Sequence, residues 1–130
     1  MNILVGYDGS KVAADAIKLA TRHAKAFNGK LFIVTSMEGG PHVPREDFKR
    51  AEKDLDFAKS IVKKDEIPCE THLSVRGLEP GEDLVEYAKE KQIDQIVVGI
   101  HRRSKVGKLV FGSTAQYVIL EAPCPVLTVK

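Results

Sequence analysis

The residues best placed to do chemistry form one run, Gly99-Ile100-His101-Arg102-Arg103-Ser104-Lys105-Val106-Gly107-Lys108-Leu109-Val110-Phe111-Gly112-Ser113-Thr114. Glycine lets a backbone approach a ligand closely. The cations Arg102, Arg103, Lys105 and Lys108 fall within seven positions with no acid among them. Ser113 and Thr114 open a helical run, so their N–H and hydroxyl groups stand where helices bind anions, phosphate above all. His101 sits beside the cations. A second group, Asp8-Gly9-Ser10, is an acidic turn whose carboxylate can accept from hydroxyls or help to hold a metal. Each feature also has a plain structural reading: a solvated loop for the cations, an ordinary N-cap for Ser113 and a turn aspartate for Asp8.

Several standard chemistries are excluded. The dinucleotide fingerprint fails, because Gly6-Tyr7-Asp8-Gly9 has no glycine at the required spacing. The P-loop fails too: Arg102 stands where a glycine is needed, and Leu109 where Ser or Thr must follow Lys108. No G-x-S-x-G elbow is present. The third strand ends Ser74-Val75-Arg76-Gly77, without a phospho-accepting aspartate. Cys69 and Cys124 belong to no zinc spacing and read as buried structural thiols. Basic and acidic residues, 20 and 18, nearly balance to a net charge of +2, which argues against nucleic acid as a partner. With no leader-like start and no apolar run of membrane-spanning length, the chain reads as cytoplasmic, with no membrane partner.

The elements that must position these groups alternate. Asn2–Tyr7 is an apolar strand. Ser10 caps a helix whose inner face is Ala13, Ala14, Ile17, Leu19 or Ala20, Ala24 and Phe27, and Asn28-Gly29 stops it. Lys30–Thr35 is the second strand. A glycine- and proline-bearing loop follows, then an amphipathic helix over roughly 45–65. Cys69–Val75 is the third strand, and Pro80 opens the next helix. Gln95–Val98 is the fourth strand. The cationic run leads into a helix from about Ser113 to about Glu121, and Pro125–Val129 is the last strand. This alternation predicts a single α/β domain over 1–130 with a five-stranded doubly wound parallel sheet, Rossmann-like, in the order 3-2-1-4-5 with helices on both faces. The strand order then reverses between strands one and four, where ligands of open α/β sheets bind. Asp8 and the Gly99 run meet at that reversal.

The chain resembles the universal stress protein family over essentially residues 2–130. The likeness is carried by Ile3-Leu4-Val5-Gly6-Tyr7-Asp8-Gly9-Ser10, Ile96-Val97-Val98-Gly99, the pair Gly112-Ser113, and Ala122-Pro123-Cys124-Pro125-Val126-Leu127-Thr128-Val129. The resemblance implies the same sheet and, in one branch, ATP binding through G-x2-G-x9-G-[S/T]. Gly99 matches the first glycine, Gly112 the third and Ser113 the hydroxyl, whereas the second falls on Arg102. An arginine there could fill the phosphate space or pair with the phosphates. The ligand implied is ATP or AMP, with magnesium accompanying ATP. The residues implied to hold it are Asp8, Ser36, Gly99, His101, Arg102, Arg103, Gly112, Ser113 and Thr114, with Thr35 and Ser36 facing adenine through their backbone. No residue stands out as a catalytic base, so the resemblance implies a regulatory nucleotide with at most slow hydrolysis. It also implies a homodimer through strand 125–129, acting on a protein partner the sequence does not name. The alternative is a dimer of the same fold that binds no nucleotide and works through protein–protein contact.

Overall fold

The computed structural model describes residues 1–101 and 112–130. In chain order the elements are β1 (Asn2–Gly6), α1 (Lys11–Phe27), β2 (Lys30–Met37), α2 (Arg45–Lys63), β3 (Cys69–Val75), α3 (Pro80–Glu90), β4 (Gln95–Gly99), α4 (Ser113–Glu121) and β5 (Val126–Val129). The five strands form one sheet in the order β3-β2-β1-β4-β5. Every pairing is parallel. The expected fold class and strand order are therefore those of the structure.

The three inner strands β1, β2 and β4 are buried on both faces, which is why they read as unbroken apolar runs, whereas the edge strands β3 and β5 are only partly buried. On one face Ile3, Val5, Leu31, Ile33 and Val97 pack with Ala16, Ile17 and Ala20 of α1 and Leu55, Ala58 and Val62 of α2. On the other, Leu4, Phe32, Val34, Ile96 and Val98 pack with Leu84, Val85 and Ala88 of α3 and Val118 of α4. Each fully buried Val, Leu or Ile of this kind contributes about 1.5–3 kcal/mol. Among the described residues, no helix is long and apolar enough to cross a membrane.

Local signals explain the element ends. The Ser10 side chain accepts from the Ala13 N–H at 3.2 Å. Asn28 closes α1 in the left-handed region, at φ 53°. Pro80 occupies the first turn of α3, where its missing N–H costs nothing. Three expectations need correction. Phe27, the last residue of α1, is 61% exposed rather than part of the core and packs edge-on against His23 of the same helix. Cys69 and Cys124 are only partly buried, each packed at the rim of a core cluster. β2 continues two residues beyond Thr35, because β3 pairs with it through Met37↔Val75.

Candidate functional site

A cleft of about 440 Å³ opens beyond the carboxyl ends of β1, β2 and β4, where the strand order reverses. Its floor is made by Gly6, Val34 and Val98, on three adjacent strands. Pro80 and Leu84 of α3 add an apolar wall. A Cβ at position 6 would lie 2.9 Å from Leu84 Cδ1, so a side chain there would push Leu84 aside. Sequence reasoning concentrated on polar residues and missed this wall, although the signal was available in the strand ends themselves.

One end of the cleft is a donor surface. Gly112, Ser113, Thr114 and Ala115 line it. Gly112, not Ser113, is the N-cap of α4, and no side chain of the described residues caps the helix; Ser113 is its first helical residue. The first bond back to the cap runs from the Gln116 N–H to the Gly112 carbonyl at 3.0 Å. Among the described residues, the N–H groups of Ser113, Thr114 and Ala115 have no acceptor. They carry the positive end of the helix dipole into the cleft.

The opposite rim is made of acceptors. The Ser10 N–H donates to Asp8 Oδ1 at 3.0 Å, and His101 Nε2 lies 3.3 Å from Asp8 Oδ2. The turn after β1 and the segment after β4 are thus joined across the cleft mouth. Burial raises the Asp8 carboxyl, but hydrogen bonds from Ser10 and His101 and the histidine's charge outweigh it and hold the group below its ordinary value. Burial, with Asp54 and Asp8 nearby, pushes the Tyr7 phenol up. Thr35 Oγ1 donates to the Tyr7 carbonyl at 2.7 Å, and Ser36 Oγ donates to Asp83 Oδ2 at 2.5 Å.

Asp83 is the functional-site neighbour that the sequence concealed. It is a carboxylate only 1% exposed, in the first turn of α3. Arg76 Nε reaches its other oxygen at 2.5 Å, Arg76 Nη2 reaches its main-chain carbonyl at 3.2 Å, and Arg76 Nη1 extends to Glu90 at 2.7 Å. Burial raises the Asp83 carboxyl, yet hydrogen bonds from Ser36, Ser74 and Arg76, with the guanidinium charge, carry it below its usual range.

Of the residues singled out from the sequence, Asp8, Ser36, Gly99, His101, Gly112, Ser113 and Thr114 all line this cleft. Arg102 and Arg103 lie outside the described residues. The two glycines differ in what requires them. A Cβ on Gly99 would meet Val12 Cγ1 at 2.8 Å and the Val12 main chain at 3.0 Å, so Gly99 lets α1 pack onto the end of β4. A Cβ on Gly112 would meet nothing within 4 Å among the described residues, and its φ of −65° suits any residue. An anion at the α4 end, a flat apolar group over the floor and hydroxyl or amino donors toward Asp8, Thr35 and Ser36 together describe a ligand that fits.

The model of the universal stress protein family matches residues 1–130. The chain belongs to that family. A curated relative, the universal stress protein in the QAH/OAS sulfhydrylase 3′ region of Thermus aquaticus, is 35% identical, with 98% of this chain and 97% of that protein covered. Among solved structures, a universal stress protein from Archaeoglobus fulgidus superposes with a TM-score of 0.93 at 40% identity, covering 100% of this chain and 98% of the other. A structure of the universal stress protein from Archaeoglobus fulgidus in complex with dAMP superposes with a TM-score of 0.87 at 36% identity and the same coverage.

Proposed function

We propose that this universal stress family member binds an adenine nucleotide, AMP or ATP, in the cleft between the turn after β1 and the start of α4, and that the nucleotide acts as a regulatory ligand. The observation that carries this reading is the polarity of the cleft. N–H groups of α4 with no acceptor among the described residues stand at one end, and the carboxylate of Asp8 stands at the other. Phosphate belongs with the first and ribose hydroxyls with the second. The base then lies over Val34 and Leu84, beside the end of β2. The cleft volume is within the range of small-molecule sites. The solved relative in complex with dAMP supports the same ligand class.

In this reading Ser113 and Thr114 hold phosphate, Gly112 leaves room for it, Arg103 adds positive charge, His101 contacts the ligand, and magnesium accompanies ATP. The 130 residues act as one domain in the cytoplasm, paired as a homodimer through β5. A second reading rests on Arg102, which occupies the place of a phosphate-loop glycine. If its side chain fills the phosphate space, the dimer works through protein contact alone.

Calorimetric titration with AMP, and with ATP with and without magnesium, tests the choice. The expected result is saturable heat from the native protein. Heat from Arg102→Gly but none from the native chain selects the second reading, and silence from both removes the nucleotide from this protein.

A further inference from the structure

β3 is the edge of the sheet opposite β5. Its pairing with β2 fixes where its main-chain groups point. Leu31 stands opposite Cys69, and the Leu31 N–H donates to the Pro68 carbonyl at 2.9 Å. Bonding groups alternate along a strand, so those of Glu70, His72 and Ser74 turn toward β2 and those of Thr71, Leu73 and Val75 turn outward. Among the described residues, no partner meets the outward groups. The side chains alternate as well. Leu73 packs in the cluster covered by α2, whereas His72 stacks on Tyr87 of α3 with ring centroids 5.9 Å apart. Glu70, His72 and Arg76 line a groove of about 460 Å³ between this edge and α3. The two ends of the groove carry opposite charge. Glu70, paired with Lys30, is 52% exposed at one end. Arg76 is held at the other by Asp83 and Glu90 and is still 35% exposed.

We propose that this edge is a second self-association surface, where β3 pairs antiparallel with β3 of another copy about a twofold axis through Leu73. Charges on an edge strand ordinarily keep copies apart. These match once the second strand is turned end for end. Centring the pair on Leu73 sets Thr71 opposite Val75 and Leu73 opposite its own copy, so all three outward residues exchange main-chain bonds. The same register sets Glu70 opposite Arg76 of the second copy, twice across the axis. That is a non-hydrogen-bonded pairing, in which facing side chains lie closest. The anchoring of Arg76 by Asp83 and Glu90 holds its guanidinium ready at the edge. A slip of two residues either way takes Glu70 away from Arg76, and a slip of one turns the bonding groups of one strand inward. The contact is small and polar, so it forms at higher protein concentration than the pairing proposed for β5. Because the two edges lie on opposite sides of the sheet, twofold pairing at both joins dimers end to end.

Sedimentation equilibrium from micromolar to millimolar protein tests this, with circular dichroism to check the fold of each variant. Native protein is expected to be a dimer at micromolar concentration and to gain mass by whole dimers toward millimolar. Thr71→Pro removes one outward N–H and spares every bond to β2. Glu70→Lys puts like charges opposite each other twice. Both should keep the micromolar dimer and weaken the second step about tenfold or more. A micromolar monomer whose dimerisation near millimolar is weakened by both variants supports pairing at β3 and removes it at β5. Native protein that gains no mass near millimolar overturns the proposal and leaves the edge to a strand of another protein. Growth that neither variant reduces places the contact elsewhere and overturns it as well. Growth reduced by Thr71→Pro alone overturns the register, and growth reduced by Glu70→Lys alone means charge attraction without strand pairing; either result sinks the proposal. Val75→Pro, which removes the outward N–H at the other end, takes the place of Thr71→Pro should that variant not fold.

Discussion

Gly99 and Gly112 border the same cleft, yet a side chain would fare differently at each. At Gly99 a methyl group collides with Val12, including its main chain, and neither α1 nor β4 can yield without disturbing the core. Gly99→Ala is expected to cost about 1–3 kcal/mol of stability, in the range of overpacked sites. At Gly112 no described neighbour and no unusual dihedral calls for glycine. Serine is a better N-cap than glycine, by a few tenths of a kcal/mol. Its hydroxyl would also accept from an amide of the first turn of α4, the donor set assigned to phosphate. Gly112→Ser should therefore raise the melting temperature slightly while weakening AMP about tenfold, the worth of a hydrogen bond to a charged group. Calorimetry on one preparation reads both quantities. A variant that gains stability and keeps its affinity would mean that the α4 amides do not hold the ligand.

The buried carboxylate of Asp83 ties three elements together, since Ser36 is the penultimate residue of β2, Arg76 follows β3 and Asp83 lies in the first turn of α3. Removing Arg76 leaves that charge buried with only hydroxyl partners. Arg76→Ala is expected to cost about 3 kcal/mol near pH 7, as broken buried pairs do. The folded-state carboxyl is depressed, so its contribution is present above the unfolded carboxylate pKa and is lost as pH falls through the folded one. The deficit of Arg76→Ala should therefore shrink as pH falls into the acid range, because without the guanidinium Asp83 takes up its proton at a higher pH in the variant than in the native protein. Urea denaturation at pH 7 and pH 3.5 checks this, and a deficit that does not change with pH would refute it. Such a tie is hard to read in a sequence. An acid in the first turn of a helix already has a local explanation in the helix dipole, and Arg76 reads as loop. Only the register Ser36↔Ser74 and the seat of α3 on the sheet bring the three residues together. The elements themselves were legible, because Ile3-Leu4-Val5 and Ile96-Val97-Val98 are buried on both sides and flanked by caps such as Ser10 and Asn28. Their ends were less so. Thr35 looked like the end of a strand until pairing with β3 carried it to Met37, and Ser113 looked like a cap until Gly112 took that place.

For the molecule as a whole, the sheet ends in β5, four residues long and paired on one side only. Its bonds to β4 run from the Ile96 N–H to the Pro125 carbonyl and from the Ile100 N–H to the Val129 carbonyl. Along a strand these directions alternate, so the main-chain groups of Val126 and Thr128 face away from the sheet. The helix that leads into β5 exposes Tyr117, Ile119 and Leu120, the last at 72%. An edge of unpaired main-chain groups beside apolar side chains is a surface that natural proteins cover. The proposed cover is the same strand of a second copy across a twofold axis, where each Thr128 N–H meets a carbonyl of its partner. Proline at position 128 removes that donor while leaving the side bonded to β4 intact, and an edge strand tolerates it. Thr128→Pro should convert a dimer at micromolar concentration to a monomer in sedimentation equilibrium, with the far-ultraviolet circular dichroism preserved. Its melting temperature should fall and lose its dependence on protein concentration, because association no longer stabilises the fold by mass action. A variant with the same mass in solution as the native protein would show that β5 is not where two copies meet.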